Sequence, residues 1–127
     1  MATVGPEVMV RETARLIASD KVEGTPVRRS NGDDIGTIER VMIDKRSGKV
    51  AYAVISFGGF LGIGEDYRAL PWSVLRYSED LDAYELNLSD EQLRGAPESE
   101  AGFYDTGRID RDWEHRIHDY YRATPYW

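Results

Sequence analysis

Residues 35–72, IGTIERVMIDKRSGKVAYAVISFGGFLGIGEDYRALPW, decide how this chain folds. Lys49 to Phe57, with the run VAYAVISF, reads as a strand apolar on both parities and rich in β-branched and aromatic side chains, the pattern of a strand covered on both faces. Before it, Ile35 to Asp44 reads as a second strand whose apolar parity changes near Glu39-Arg40. Ile35, Val41 and Ile43 share one parity and Ile38 and Met42 the other, which suggests either a bulge or a strand buried partly on both faces. Lys45-Arg46-Ser47-Gly48 is a short hairpin connection, with glycine late where a left-handed residue is needed. After it come a glycine-rich apolar loop, Gly58 to Gly64, and a further strand from Glu65 to Leu70 stopped by Pro71. Two hairpin-linked strands, a loop and a third strand describe the middle of a small β-barrel.

Working outward, Val22 to Arg29 reads as a first strand anchored by Val22 and Val27. Pro26 cannot donate to a ladder and belongs at an edge or a bulge. Asn31-Gly32-Asp33 carries the chemistry of a turn, since Asn and Gly tolerate positive φ. Trp72 to Tyr77 and Ala83 to Leu88 complete six strands. Ser89 then opens a short helix, its hydroxyl placed to accept from the third amide, and Gly95 and Pro97 close it. Residues 98–107 read as a linker, and Asp110 to about Arg122 as a C-terminal helix. The expected organisation is a flexible N-terminal segment over 1–15, a barrel domain over 16–97, and a linker with an aromatic helical extension over 98–127. The expected fold class is all-β, a six-stranded antiparallel barrel with a short helix and a helical tail.

Composition bounds the function. A chain of 127 residues with 41% apolar and 31% charged residues is one globular domain. It has no apolar run long enough to cross a membrane as a helix, and its N-terminus lacks the pattern of a signal peptide. Cysteine is absent, which excludes disulfides and thiolate metal sites and suits a cytoplasmic location. A net charge of −7 disfavours nucleic acid as a partner; Arg28-Arg29 is the one obvious seed of a basic patch.

The segments LIASDKVEGTPVRRSNGDDIGTIERVMID (16–44) and SGKVAYAVISFGGFLGIGEDYRALPWSVL (47–75) resemble the PRC-barrel domain. The resemblance runs from about Leu16 to Pro97, and the ending HDYYRATPYW is similar to the extension of a stand-alone bacterial branch. The family includes the cytoplasmic domain of the photosynthetic reaction centre H subunit and, as a related barrel, the C-terminal domain of a ribosome maturation factor that binds a ribosomal protein. The resemblance implies a six-stranded barrel acting as an adaptor for protein partners, with no common catalytic residue. Unlike the H subunit this chain has no transmembrane helix, and unlike the maturation factor it has no added N-terminal domain.

Few residues invite chemistry. GGFLGIG precedes a strand pattern, whereas a phosphate loop opens a helix, and no Lys-Ser/Thr pair follows it. Phe60, Leu61 and Ile63 instead form an apolar knob, either a contact with a partner or second subunit, or packing across the barrel mouth. His115 and His118 stand at i and i+3 on the tail helix, a spacing that can hold a metal, but no third ligand accompanies them; both are expected to serve the surface or tail docking. Asp33-Asp34, Glu65-Asp66 and Glu79-Asp80-Leu81-Asp82 sit at turns, where acids bond the local backbone. Trp113, Ile117, Tyr120 and Tyr121 share one stripe of the tail helix, and with Trp127 they are expected to dock, through Tyr52, on the outer face of VAYAVISF or to cross to a second subunit.

The function expected is therefore a non-enzymatic adaptor barrel, homodimeric and cytoplasmic, without catalytic residues, cofactor or resident metal. The alternatives are a small-ligand or metal sensor using the barrel mouth or His115 and His118, and an accessory factor for reaction centre assembly or electron transfer.

Overall fold

The computed structural model describes residues 11–58, 65–96 and 111–127. After a tight turn bridged from Glu12 to Ile17 comes α1 (Ser19–Val22), then β1 (Pro26–Arg28), β2 (Asp34–Ile43), β3 (Val50–Gly58) and β4 (Glu65–Pro71). A 3-10 turn at Trp72–Val74 leads to β5 (Arg76–Ser78) and β6 (Ala83–Glu85), followed by α2 (Asp90–Arg94) and α3 (Arg111–Tyr121). The six strands form one sheet in the order β4-β3-β2-β1-β6-β5.

That order corrects the expected fold class on two points. The sheet is mixed, because β1 runs parallel to β6 through Val27↔Tyr84 and Arg28↔Glu85, while every other pairing is antiparallel. It is also open, with β4 and β5 as edges not paired to each other among the described residues. It curls all the same: Leu70 of β4, Ile38 of β2, Val27 of β1 and Tyr84 of β6 meet in a single apolar cluster with Ala53, Ile55 and Phe57 of β3 and Leu93 of α2. Full burial of each large apolar side chain there contributes about 1.5–3 kcal/mol.

Local chemistry explains most boundaries. Gly32 at φ +93° makes the turn between β1 and β2, and Gly48 at φ +76° the one between β2 and β3. The Asp44 carboxylate accepts from the Ser47 hydroxyl at 2.6 Å and its amide at 3.2 Å. These bonds hold Asp44 below the usual carboxylate range. The parity change in β2 is a real irregularity, as the register against β3 slips between Ile38 and Arg40. A further slip lies between Val27 and Arg28, beside Pro26, which opens its strand where no ladder donor is needed. Gly36 keeps β2 close to β3: a Cβ there would stand 2.5 Å from the Ser56 carbonyl oxygen. Ser89 and Gln92 form a reciprocal capping box on α2.

Two expected strands come out differently. Val22 closes the helical turn α1, with its amide bonded to the Ala18 carbonyl at 3.1 Å, and its side chain still enters the core. Trp72 begins a 3-10 turn closed by the Leu75 amide on its own carbonyl at 3.0 Å, so β5 starts only at Arg76. A 3-10 turn lets Trp72, Val74 and Leu75 all pack against the core, which an extended strand of alternating faces would not.

Candidate functional site

The second face of β3 is where the chain departs from a plain barrel. Residues 51–57 are all buried. Ala53, Ile55 and Phe57 belong to the barrel core, whereas Ala51 and Tyr52 join Ala69 and Ala96 beneath Trp113 and Ile117 of α3. The tail thus docks on its own barrel. Trp113 and Ile117 are one turn apart on the helix and point the same way; Tyr52 meets Trp113 with ring centroids 5.5 Å apart.

A carboxylate lies inside this contact. Glu114 is only 2% exposed, a burial that requires partners. Its Oε1 accepts from the Tyr52 hydroxyl at 2.8 Å and from the Tyr126 hydroxyl. Its Oε2 stands 3.2 Å from Arg111 Nε. Burial, reinforced by the bond to Glu114, pushes the Tyr52 hydroxyl well above its ordinary pKa. The same two causes push Tyr126 up to about 12. Burial likewise raises Tyr121.

The end of the chain closes over the helix. Arg122 takes a left-handed conformation at φ 54°; its amide bonds the Asp119 carbonyl and the Ala123 amide bonds that of His118. This ends α3 and turns the chain back. Trp127 then lies edge-on to His118 at 4.9 Å and to His115 at 5.2 Å, with Arg111 Cζ 4.3 Å from its ring centre. It remains 45% exposed. Tyr120, 38% exposed, donates to the Gln92 carbonyl at 2.6 Å and so ties α3 to α2. Gly95 gives it room, since a Cβ there would lie 3.0 Å from the Tyr120 hydroxyl.

The site residues expected from sequence are thus distributed as follows. Tyr52, Trp113 and Ile117 come together in the buried contact, Tyr121 touches both clusters, and Tyr120 and Trp127 bind its rim. His118 is buried with Nδ1 2.7 Å from the Glu114 carbonyl oxygen, while His115 is exposed; the two share Trp127, and no group of three metal-ligating side chains occurs among the described residues. Phe60, Leu61 and Ile63 lie outside the described residues, as do the linker 98–107 and Pro97. The register of β3 against β4 runs down to Gly58↔Glu65, so residues 59–64 connect two paired strand ends. Arg28 and Arg29 separate: Arg29 pairs with Asp90, whereas Arg28 turns to another cleft. Sequence reasoning missed Glu114. Its one signal is position, with Glu114 and His118 repeating one residue after Trp113 and Ile117.

Among the described residues no helix is long and apolar enough to cross a membrane. Among curated proteins none matches this chain. The family model of the PRC-barrel domain matches residues 15–93, more than half of the chain and all six strands, and the chain belongs to that family.

Proposed function

We propose that this protein is a non-enzymatic adaptor barrel that holds a protein partner at the end of its β3–β4 hairpin, and that it works as a homodimer. The observation that carries the reading is the register ending at Gly58↔Glu65. It leaves GFLGIG as the connection, and hairpin connections are ordinarily built from polar turn residues. Phe60, Leu61 and Ile63 in that place have the chemistry of a contact surface. The chain belongs to the PRC-barrel family, and the adaptor role that the resemblance to that family implies is in line with the same reading. The tail already covers the outer face of β3, so the partner's surface is sought at the hairpin end and not on that face.

The test is Phe60→Ser in the full chain, with circular dichroism to confirm an unchanged barrel. The wild type is expected to retain a specific protein that the variant loses, read by quantitative comparison of crosslinked material. Equal capture by both forms would sink the hairpin as the contact. Sedimentation velocity over a range of concentrations reads the dimer separately, and a monomer throughout would remove that part alone.

A further inference from the structure

An open cleft of about 420 Å³ lies between the N-terminal turn, α1, β1 and the β5–β6 turn, with no residue of the tail among those that line it. Its volume is in the range of small-molecule sites. Its walls carry cations from Arg11, Lys21 and Arg28, and acids from Glu12, Glu23 and Asp82.

The cations are not equivalent. Arg11 is engaged by Asp20, through its carbonyl at 2.8 Å and its carboxylate at 3.6 Å. Lys21 stands 3.9 Å from Glu12. Arg28 has no ion pair among the described residues. Its one hydrogen bond runs from Nη1 to the Gly32 carbonyl at 3.2 Å, and its Nε is buried without an acceptor. A half-buried guanidinium without a counter-ion is a desolvation cost that the fold leaves open. The group that best answers a planar fork of donors is a carboxylate.

The same cleft also holds the reverse imbalance. The Tyr77 hydroxyl faces Asp82 Oδ1 at 2.9 Å and Glu12 Oε2 at 3.2 Å. A hydroxyl has a single proton and serves one of these acceptors at a time. The Asp82 bond, ahead of burial, raises the Tyr77 pKa, so the hydroxyl stays protonated; Glu12 has Lys21 beside it, and Asp82 is the carboxylate with no cation paired to it among the described residues. Asp82 is held there in a left-handed conformation at φ 48°. A group with several N–H donors and a positive charge fits this pole. Phosphate suits the cleft poorly, because a dianion at Arg28 would share it with Glu12, Glu23 and Asp82.

We infer that the cleft binds a small zwitterion, its carboxylate on Arg28 and its ammonium group between Glu12, Tyr77 and Asp82. The two poles are independent of the hairpin and of the tail.

The experiment titrates the isotopically labelled full chain with glycine, β-alanine and γ-aminobutyrate, following backbone amides by NMR. Acetate, ethylammonium and inorganic phosphate serve as comparisons. One member of the ω-amino acid series is expected to shift the amides of residues 24–28 and 77–82 saturably, with a dissociation constant on the order of millimolar. Acetate or ethylammonium should bind about tenfold more weakly than that member, and so should the same member to Arg28→Gln. Asp82→Asn keeps a residue that tolerates the left-handed backbone, and it should weaken ethylammonium while leaving acetate unchanged; it also carries the test should Arg28→Gln not fold. No saturable shift with any of the series, acetate as strong as the best zwitterion, phosphate stronger than either, or undiminished binding by both variants would each overturn the inference.

Discussion

The two faces of β3 are both buried, and they are buried by different means. The inner face, Ala53, Ile55 and Phe57, meets apolar side chains brought together by the curl of the sheet. The outer face meets a helix from the end of the chain, and the contact includes Glu114, His118 and three tyrosines. Apolar packing has no directional requirement and tolerates no void. The outer contact depends on hydrogen bonds that all have to be present together. The inner face should therefore fail with the whole domain, and the outer face on its own.

A matched pair of truncations separates the two faces. Phe57→Ala is expected to cost about 3–5 kcal/mol and to lower the midpoint of one cooperative transition for the entire chain. Trp113→Ala deletes a comparable volume, yet most of its effect should be local: hydrogen exchange in α3 rises while β2 and β3 stay protected. Loss of protection in β2 and β3 to the same degree would show that tail and barrel form one unit.

Alkaline titration separates the faces by chemistry. Tyr126 has its folded pKa raised from 10.0 to about 12. Because the proton is bound more tightly in the folded state, this contribution is complete below pH 10 and is lost as the pH rises from 10 to about 12. Tyr52 and Tyr121 shift in the same direction, so the outer contact should open in that window. Tyrosinate absorbance and tail amide exchange are expected to rise together. Ordinary titration near pH 10 with the tail still docked would contradict the assignment.

Smaller effects sharpen the picture further. Tyr52→Phe removes one of three partners of a buried carboxylate and is expected to cost about 1 kcal/mol by denaturant titration, with the loss confined to the tail. Arg122→Gly relieves a left-handed arginine and should stabilise the docked tail by about 0.5–1 kcal/mol, read as slower exchange in α3. A destabilising Arg122→Gly would mean that its side chain holds the tail.

What the sequence disclosed follows the range of each interaction. The turns at Gly32 and Gly48, the irregularity in β2 near Arg40 and the Ser89 cap are local, and the residues that make them are neighbours in the chain. The double burial of VAYAVISF and the docking stripe of Trp113 and Ile117 were legible because periodicity reports which side is covered. It does not report by what, so docking on the chain's own barrel and crossing to a second subunit looked alike. The parallel pairing of Val27 with Tyr84 has no local signature, and an antiparallel barrel was the simpler reading. Trp72 to Tyr77 passed for a strand because its apolar residues suit either an extended segment or a 3-10 turn. Glu114 was hidden by its charge, since an acid on a helix is ordinarily read as solvated. The cleft was hidden because Arg28 and Arg29 are adjacent and alike in sequence, and only the fold gives one a carboxylate and leaves the other without.

The parallel seam between β1 and β6 also sets an order of events during synthesis. β2, β3 and β4 are joined by short connections and can pair as soon as they emerge. β1 is made before them, yet its far neighbour is not available until Tyr84 and Glu85 have been added. Closing that loop is the slow, entropically costly step. Until it closes, Val27 has only β2 beside it, and the hairpins wait as an unfinished sheet. The helix α3 follows all six strands and can dock only on a β3 already in place, so the covering of the outer face comes after the sheet that it covers.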